Sequence, residues 1–198
     1  MNSKKVLEDL ERLRELERID NLVTVFGSSR FDEESKFYKE GVELGRKLGT
    51  AGFNVVTGGS GGLMEATNRG VKEIGKTLSI GIHLENLPNE ERANIYLDKK
   101  LCFNYFFTRK IALINYSKAF IVLSGGFGTL DEFFEVLNLM RTGRIKESPI
   151  VLVGRDYWGN MLKFMQDVML KSQTISKRDL DLILITDNLN QIVDFIKD

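Results

Sequence analysis

Apolar positions along this chain recur with two alternating periods. Short β-rich runs at Leu22 to Phe26, Phe53 to Val56, Leu78 to Ile82, Ala119 to Leu123, Ile150 to Val153 and Leu182 to Ile185 predict strands. Between them the spacing opens to a helical one. It predicts helices over Glu33 to Leu48, Leu63 to Ile74, Asn104 to Tyr116, Leu130 to Arg141, Tyr157 to Leu170 and Leu189 to Ile196. Strand followed by helix throughout is the order of a parallel sheet. Runs such as Phe120-Ile121-Val122-Leu123 have no polar face, as strands covered by helices on both sides require.

The pattern therefore predicts an α/β fold, a Rossmann-like open doubly wound parallel sheet in three layers. Ahead of it, Leu7, Leu10, Leu13 and Leu16 recur every third residue among charges. They predict an amphipathic helix over Ser3 to Arg18, covering the domain or a partner subunit. Residues 1–20 are read as this accessory helix and 21–198 as one nucleotide-binding domain, a size that suits a single core. The polar stretch Glu85 to Lys100, with Pro88 inside it, breaks the alternation and is expected to be a surface loop.

Composition narrows the partners. Lys plus Arg and Asp plus Glu both number 28, so no overall field favours nucleic acid, and a small molecule is the expected partner. One cysteine, Cys102, and one histidine, His83, leave no disulfide framework and no zinc cluster. Cys102 reads as core and His83 as a strand-end residue. No run has the character of a signal peptide or reaches the roughly 18 apolar residues of a membrane span. A cytoplasmic protein that needs neither metal nor cofactor is expected.

Chemistry concentrates in loops. In open parallel sheets, ligands bind beyond the carboxyl ends of the strands where strand order reverses. Three predicted strands end in small or glycine-rich turns: Gly27-Ser28-Ser29, Gly58-Gly59-Ser60-Gly61-Gly62, and Ser124 to Thr129. These should converge on one cleft. Gly125, Gly126 and Gly128 remove side chains where a helix begins, so backbone N–H groups can approach an anion with the helix dipole behind them. Thr129 can add a hydroxyl. The spacing matches neither a Walker loop nor a dinucleotide fingerprint, which favours a monophosphate. The Gly58 to Gly62 turn, followed by Met64 and Glu65, would let a base or ribose lie close to backbone, or else serve a close helix–strand crossing.

Thr129-Leu130-Asp131-Glu132 fits a capping box, in which Glu132 would only bond back to the helix cap. A second reading rests on charge. Two carboxylates in the first turn beside a phosphate would repel it, by about 4 kcal/mol for unit charges 4 Å apart at an effective dielectric of 20. At least one acid should then have a task, and Glu132 lies towards the position of a nucleotide's sugar. There a carboxylate can stabilise an oxocarbenium-like sugar and activate water. Arg109 and Lys110 supply positive charge that could offset the acids or clamp a substrate.

These residues resemble the Lonely Guy family of cytokinin riboside 5'-monophosphate phosphoribohydrolases, whose signature is P-G-G-x-G-T-x-x-E. Ser124-Gly125-Gly126-Phe127-Gly128-Thr129-Leu130-Asp131-Glu132 matches it except for serine at the proline. Gly58-Gly59-Ser60-Gly61-Gly62-Leu63-Met64-Glu65-Ala66 and Phe106-Phe107-Thr108-Arg109-Lys110 are similar to further family motifs, and the resemblance runs from about Leu22 to Trp158. It implies hydrolysis of AMP or an N6-modified AMP to free base and ribose 5-phosphate, with a homodimer as the minimal unit. Arg109 and Glu132 would be catalytic. Gly27, Ser28, Gly58, Gly59, Met64, Glu65, Lys110, Gly125, Gly126, Phe127, Gly128 and Thr129 would bind the phosphate and nucleotide. The alternative is a protein of the same fold that binds a nucleotide or molybdenum cofactor without cleaving it. Lysine decarboxylation, a label the family also carries, is rejected, because no lysine is arranged for a pyridoxal Schiff base.

Overall fold

The computed structural model describes residues 1–85 and 92–197. Its centre is a seven-stranded, all-parallel sheet. The strands are β1 (Leu22–Phe26), β2 (Asn54–Thr57), β3 (Ser79–Leu84), β4 (Lys99–Phe103), β5 (Ala119–Val122), β6 (Ile150–Val153) and β7 (Ile183–Thr186). The helices are α1 (Ser3–Leu13), α2 (Lys36–Thr50), α3 (Gly62–Ile74), α4 (Phe106–Ile114), α5 (Phe127–Arg141), α6 (Arg155–Phe164), α7 (Lys177–Asp181) and α8 (Leu189–Lys197). A π-helical turn, Met165–Leu170, extends α6.

Strand order is β4-β3-β2-β1-β5-β6-β7. The chain winds outwards from β1 to β4, then returns to pair β5 with the other edge of β1. The switch point therefore lies between β1 and β5, which are in register from Val23 opposite Ala119 to Phe26 opposite Val122. The loops that follow these two strands open towards each other there.

Alternation along each strand builds two cores. Leu22 and Phe26, Phe120 and Val122, and Ile150 and Leu152 face the layer of α1, α4, α5 and α6. Val23 and Val25, Ala119 and Ile121, and Val151 and Val153 face α2, α3 and α8. Because both faces are covered, the strands read as unbroken apolar runs.

Three expectations are corrected. Lys99 and Lys100, assigned to a surface loop, begin the edge strand β4; residues 86–91 of that loop, Pro88 among them, lie outside the described residues. The strand escaped notice because only Leu101 and Phe103 of its five residues turn inward. The short helix α7 was likewise not anticipated. Thirdly, α5 starts at Phe127 with Gly126 as its cap, so Thr129 lies inside the helix and no capping box forms. The first turn carries no acid; Asp131 and Glu132 lie one turn further on. Among the described residues, no helix is long and apolar enough to cross a membrane.

Candidate active site

The switch point is a cleft of about 680 Å³. Backbone hydrogen bonds stitch its three loops together: Ser28 N–H donates to the Ser124 carbonyl at 3.1 Å, and Leu63 N–H donates to the Ser28 carbonyl at 2.9 Å. The convergence expected of the three glycine-rich turns is thus fixed by main-chain bonds that no side-chain change removes.

The loop after β5 is built for access. A Cβ at Gly126 or at Gly128 would meet nothing within 4 Å, so these residues face open cleft. Gly125 differs, since a Cβ there would collide with the Thr129 side chain, which packs buried under the loop. Phe127 is exposed at the first helical position. The free N–H groups of the first turn of α5 lie at this mouth, where an anion is stabilised by the helix dipole. Tyr157, at the start of α6, donates its hydroxyl to the Gly125 carbonyl at 2.9 Å and braces the loop from the far side.

Arg109 and Glu132 enter from neighbouring helices. Arg109 Nε donates to the Ile82 carbonyl within β3, at 3.0 Å. Its guanidinium passes over Gly58, where a Cβ would come within 2.6 Å of Nη2 and 2.7 Å of the Met64 Sδ. Gly58 is therefore the notch through which arginine reaches the cleft. Glu132 is only partly exposed, and burial of its carboxyl pushes its pKa up to about 7. Arg109 and Lys110 oppose the shift, whereas Asp131 and Glu135 add to it.

Lys110 is committed elsewhere. Its ammonium lies 2.7 Å from both Asp131 and Glu135. Burial draws its pKa down, but these two carboxylates outweigh burial and leave it raised. The repulsion expected from the acids is thus eased rather than removed: Lys110 is shared between Asp131 and Glu135, and Glu132 lies in the field of both Arg109 and Lys110.

Of the residues expected to bind or act, Gly27, Ser28, Gly58, Met64, Arg109, Lys110, Gly125, Gly126, Phe127, Gly128, Thr129 and Glu132 line the cleft. Gly59 and Glu65 do not. Gly59, at φ +75°, packs its α-carbon against the His83 ring, and Glu65 turns to α2, accepting from the Tyr38 hydroxyl at 3.0 Å. Arg30, Phe31, Phe106 and Tyr157 also line the cleft and were not anticipated. Arg30 and Phe31 directly follow the first loop, so reading two residues further would have found them. Tyr157 follows β6, and nothing local marks it. Among the described residues, no group of three or more His, Cys, Asp or Glu side chains could hold a metal ion.

An open doubly wound parallel sheet with a cleft at its switch point defines the Rossmann-like three-layer α/β class. The fold is shared with the molybdenum cofactor binding protein of Rippkaea orientalis (TM-score 0.67, 21% identity, 91% of this chain and 97% of that one). It is shared equally with the molybdenum cofactor carrier protein of Chlamydomonas reinhardtii (TM-score 0.68, 20% identity, 90% and 97%). Residues 64–196 match the family model described as "Possible lysine decarboxylase". The chain is also similar to the cytokinin riboside 5'-monophosphate phosphoribohydrolase LOG3 of Arabidopsis thaliana, at 28% identity over 173 residues, 86% of this chain and 79% of the relative. The chain belongs to the Lonely Guy family.

Proposed function

We propose that this protein hydrolyses the N-glycosidic bond of a nucleoside 5'-monophosphate, AMP or an N6-modified AMP, releasing free base and ribose 5-phosphate. The observation that carries this reading is Glu132: a carboxyl whose burial raises its pKa to about 7, lining one cleft with Arg109 and lying one helical turn beyond the glycine loop. A phosphate seated at the mouth of α5 puts the sugar over that carboxyl. Arg109, which lines the same cleft, holds the substrate.

In the reaction, the bond from C1' to the base nitrogen breaks and its electron pair leaves with the base, which takes up a proton. Glu132, ionised, stabilises the positive charge developing on the sugar and accepts a proton from the water that adds to C1'. A carboxylate of ordinary pKa would be a weak base; one raised to about 7 is matched to neutral pH. The homodimer, the cytoplasmic setting and the nucleoside monophosphate partner belong to the same proposal. Phe107 on α4 and Phe134 on α5 are exposed apolar side chains that a second copy would cover.

The test is incubation with AMP and N6-modified AMP, with chromatographic detection of the free base. Wild type should release base, and Glu132→Gln should lower kcat by roughly 10³-fold while the fold persists. Absence of free base from every nucleoside monophosphate, while an active family member releases it in parallel, would overturn the reading. A phosphorylated ligand recovered intact, and held equally by Glu132→Gln, would instead support the non-catalytic binding alternative.

A further inference from the structure

The catalytic arginine of the proposed reaction sits on a helix whose own end is uncapped. Tyr105 precedes α4 and gives it no side-chain cap bond. The entering turn and the third residue of α4 are instead held by another helix. Asp9 of α1, wholly buried, accepts the Asn104 backbone N–H on both carboxylate oxygens at 3.0 and 2.9 Å. It also accepts the Asn104 side-chain amide at 2.8 Å and the Thr108 hydroxyl at 2.6 Å. Four charge-assisted contacts from one carboxylate hold both the turn entering α4 and the residue immediately before Arg109.

The surrounding contacts make the joint rigid. Arg12, one turn along α1, lies 3.7 Å from Asp9 and donates to the Cys102 carbonyl near the end of β4. Asn2 N–H donates to the Tyr105 hydroxyl at 2.8 Å. By contrast, Leu7 and Leu10 stay exposed, so apolar burial of α1 is left mainly to Leu13 and to Leu16 just beyond it. Polar bonds, which are directional, therefore set the position of this helix. A buried carboxylate is costly unless fully bonded, and Asp9 spends its capacity on α4 and the turn entering it.

We infer that Asp9 is a positioning residue for Arg109: the accessory helix fixes the rotation of α4, and through it the seat of the guanidinium over Gly58. This rests on the proposed role of Arg109 for its effect on turnover, but its structural half does not. Replacing Asp9 with asparagine puts an amide against the donors of Asn104 and Thr108, and α4 loses its reference point.

Two measurements test it. Hydrogen exchange of Asp9→Asn, read without ligand, should show residues 104–110 exchanging faster while β1 and β5 keep wild-type protection. Turnover of AMP should show kcat per folded molecule lowered roughly 10- to 100-fold, the scale of a small misplacement of a catalytic group. In an Arg109→Ala background, Asp9→Asn should then add no further loss, whereas a residue acting on the site independently of Arg109 would add its full effect. Asp9→Glu, which keeps the charge, should recover part of the loss. Unchanged exchange over 104–110 overturns the inference, as does a loss that adds in full to that of Arg109→Ala. If wild type turns over no nucleoside monophosphate, the reaction falls, and the exchange result alone decides whether Asp9 sets α4.

Discussion

Two glycine-rich turns join a strand to a helix on either side of β1, and they use glycine for opposite reasons. In the turn after β2, three of the four glycines are demanded by neighbours. Gly62, at φ +64°, has no room for a Cβ beside the backbone of Ser28 and Ser29, Gly59 lies on His83, and Gly58 lies under Arg109. In the turn after β5, Gly126 and Gly128 have empty space in front of them. One turn closes the fold around its loops; the other keeps a door open. Motif alone made them look alike.

Substitution should separate them. Gly62→Ala combines an unfavourable φ with a backbone collision and should destabilise the protein by roughly 3 to 5 kcal/mol in urea denaturation. Gly126→Ala should alter stability by less than about 0.5 kcal/mol. If the two variants unfold alike, the contrast is wrong. Gly126→Ala should nonetheless weaken the protein as a catalyst, because its methyl enters the open space that the proposed function gives to phosphate. A drop in kcat/KM for AMP of roughly 100-fold, about 2.7 kcal/mol, is expected.

The titratable groups behind the two turns give opposite pH signatures. Glu132 has a folded pKa raised to about 7, so the folded state holds a proton the unfolded chain has released. Its contribution is full below the unfolded value near 4.5 and is lost as pH rises through 7. Glu132→Gln should therefore be more stable than wild type at pH 8, by on the order of 2 kcal/mol, and nearly equal to it at pH 4. The same ionisation should make wild-type turnover rise with pH through about 7.

His83 behaves in reverse. Burial, helped by Lys100 and Arg109, lowers its pKa to about 4, so it packs neutral beneath Gly59. Its contribution is present above the unfolded value near 6.5 and lost as pH falls towards 4. His83→Gln should flatten the acid side of the stability profile by about 1 kcal/mol. An unchanged profile between pH 6.5 and 4 would show that the imidazole can be charged where it lies.

Much of this molecule is legible in its residues. The strand runs flanking the switch point are apolar on both faces, so β1 and β6 are placed to the residue by pattern alone. The half-exposed edge strand β4 is not, because an edge needs only Leu101 and Phe103 turned inward, too few for a period to register. The capping box weighed for Thr129 fails for a related reason. A local rule assigns the cap to the hydroxyl, but the turn places Gly126 there and packs Thr129 beneath Gly125.

The candidate site divides along the same line. Residue types and their order determined that a glycine loop opens a helix, that a glutamate follows, and that an arginine and lysine precede the strand. Those are properties of neighbours in the chain. Only the tertiary structure decided that Lys110 is shared between Asp131 and Glu135, that Gly59 packs on His83 rather than lining the cleft, and that Asp9 binds Asn104 and Thr108 some hundred residues away. Charge pairing and desolvation depend on distance through space. In a sheet wound outwards in two directions from β1, that distance bears no fixed relation to separation along the chain.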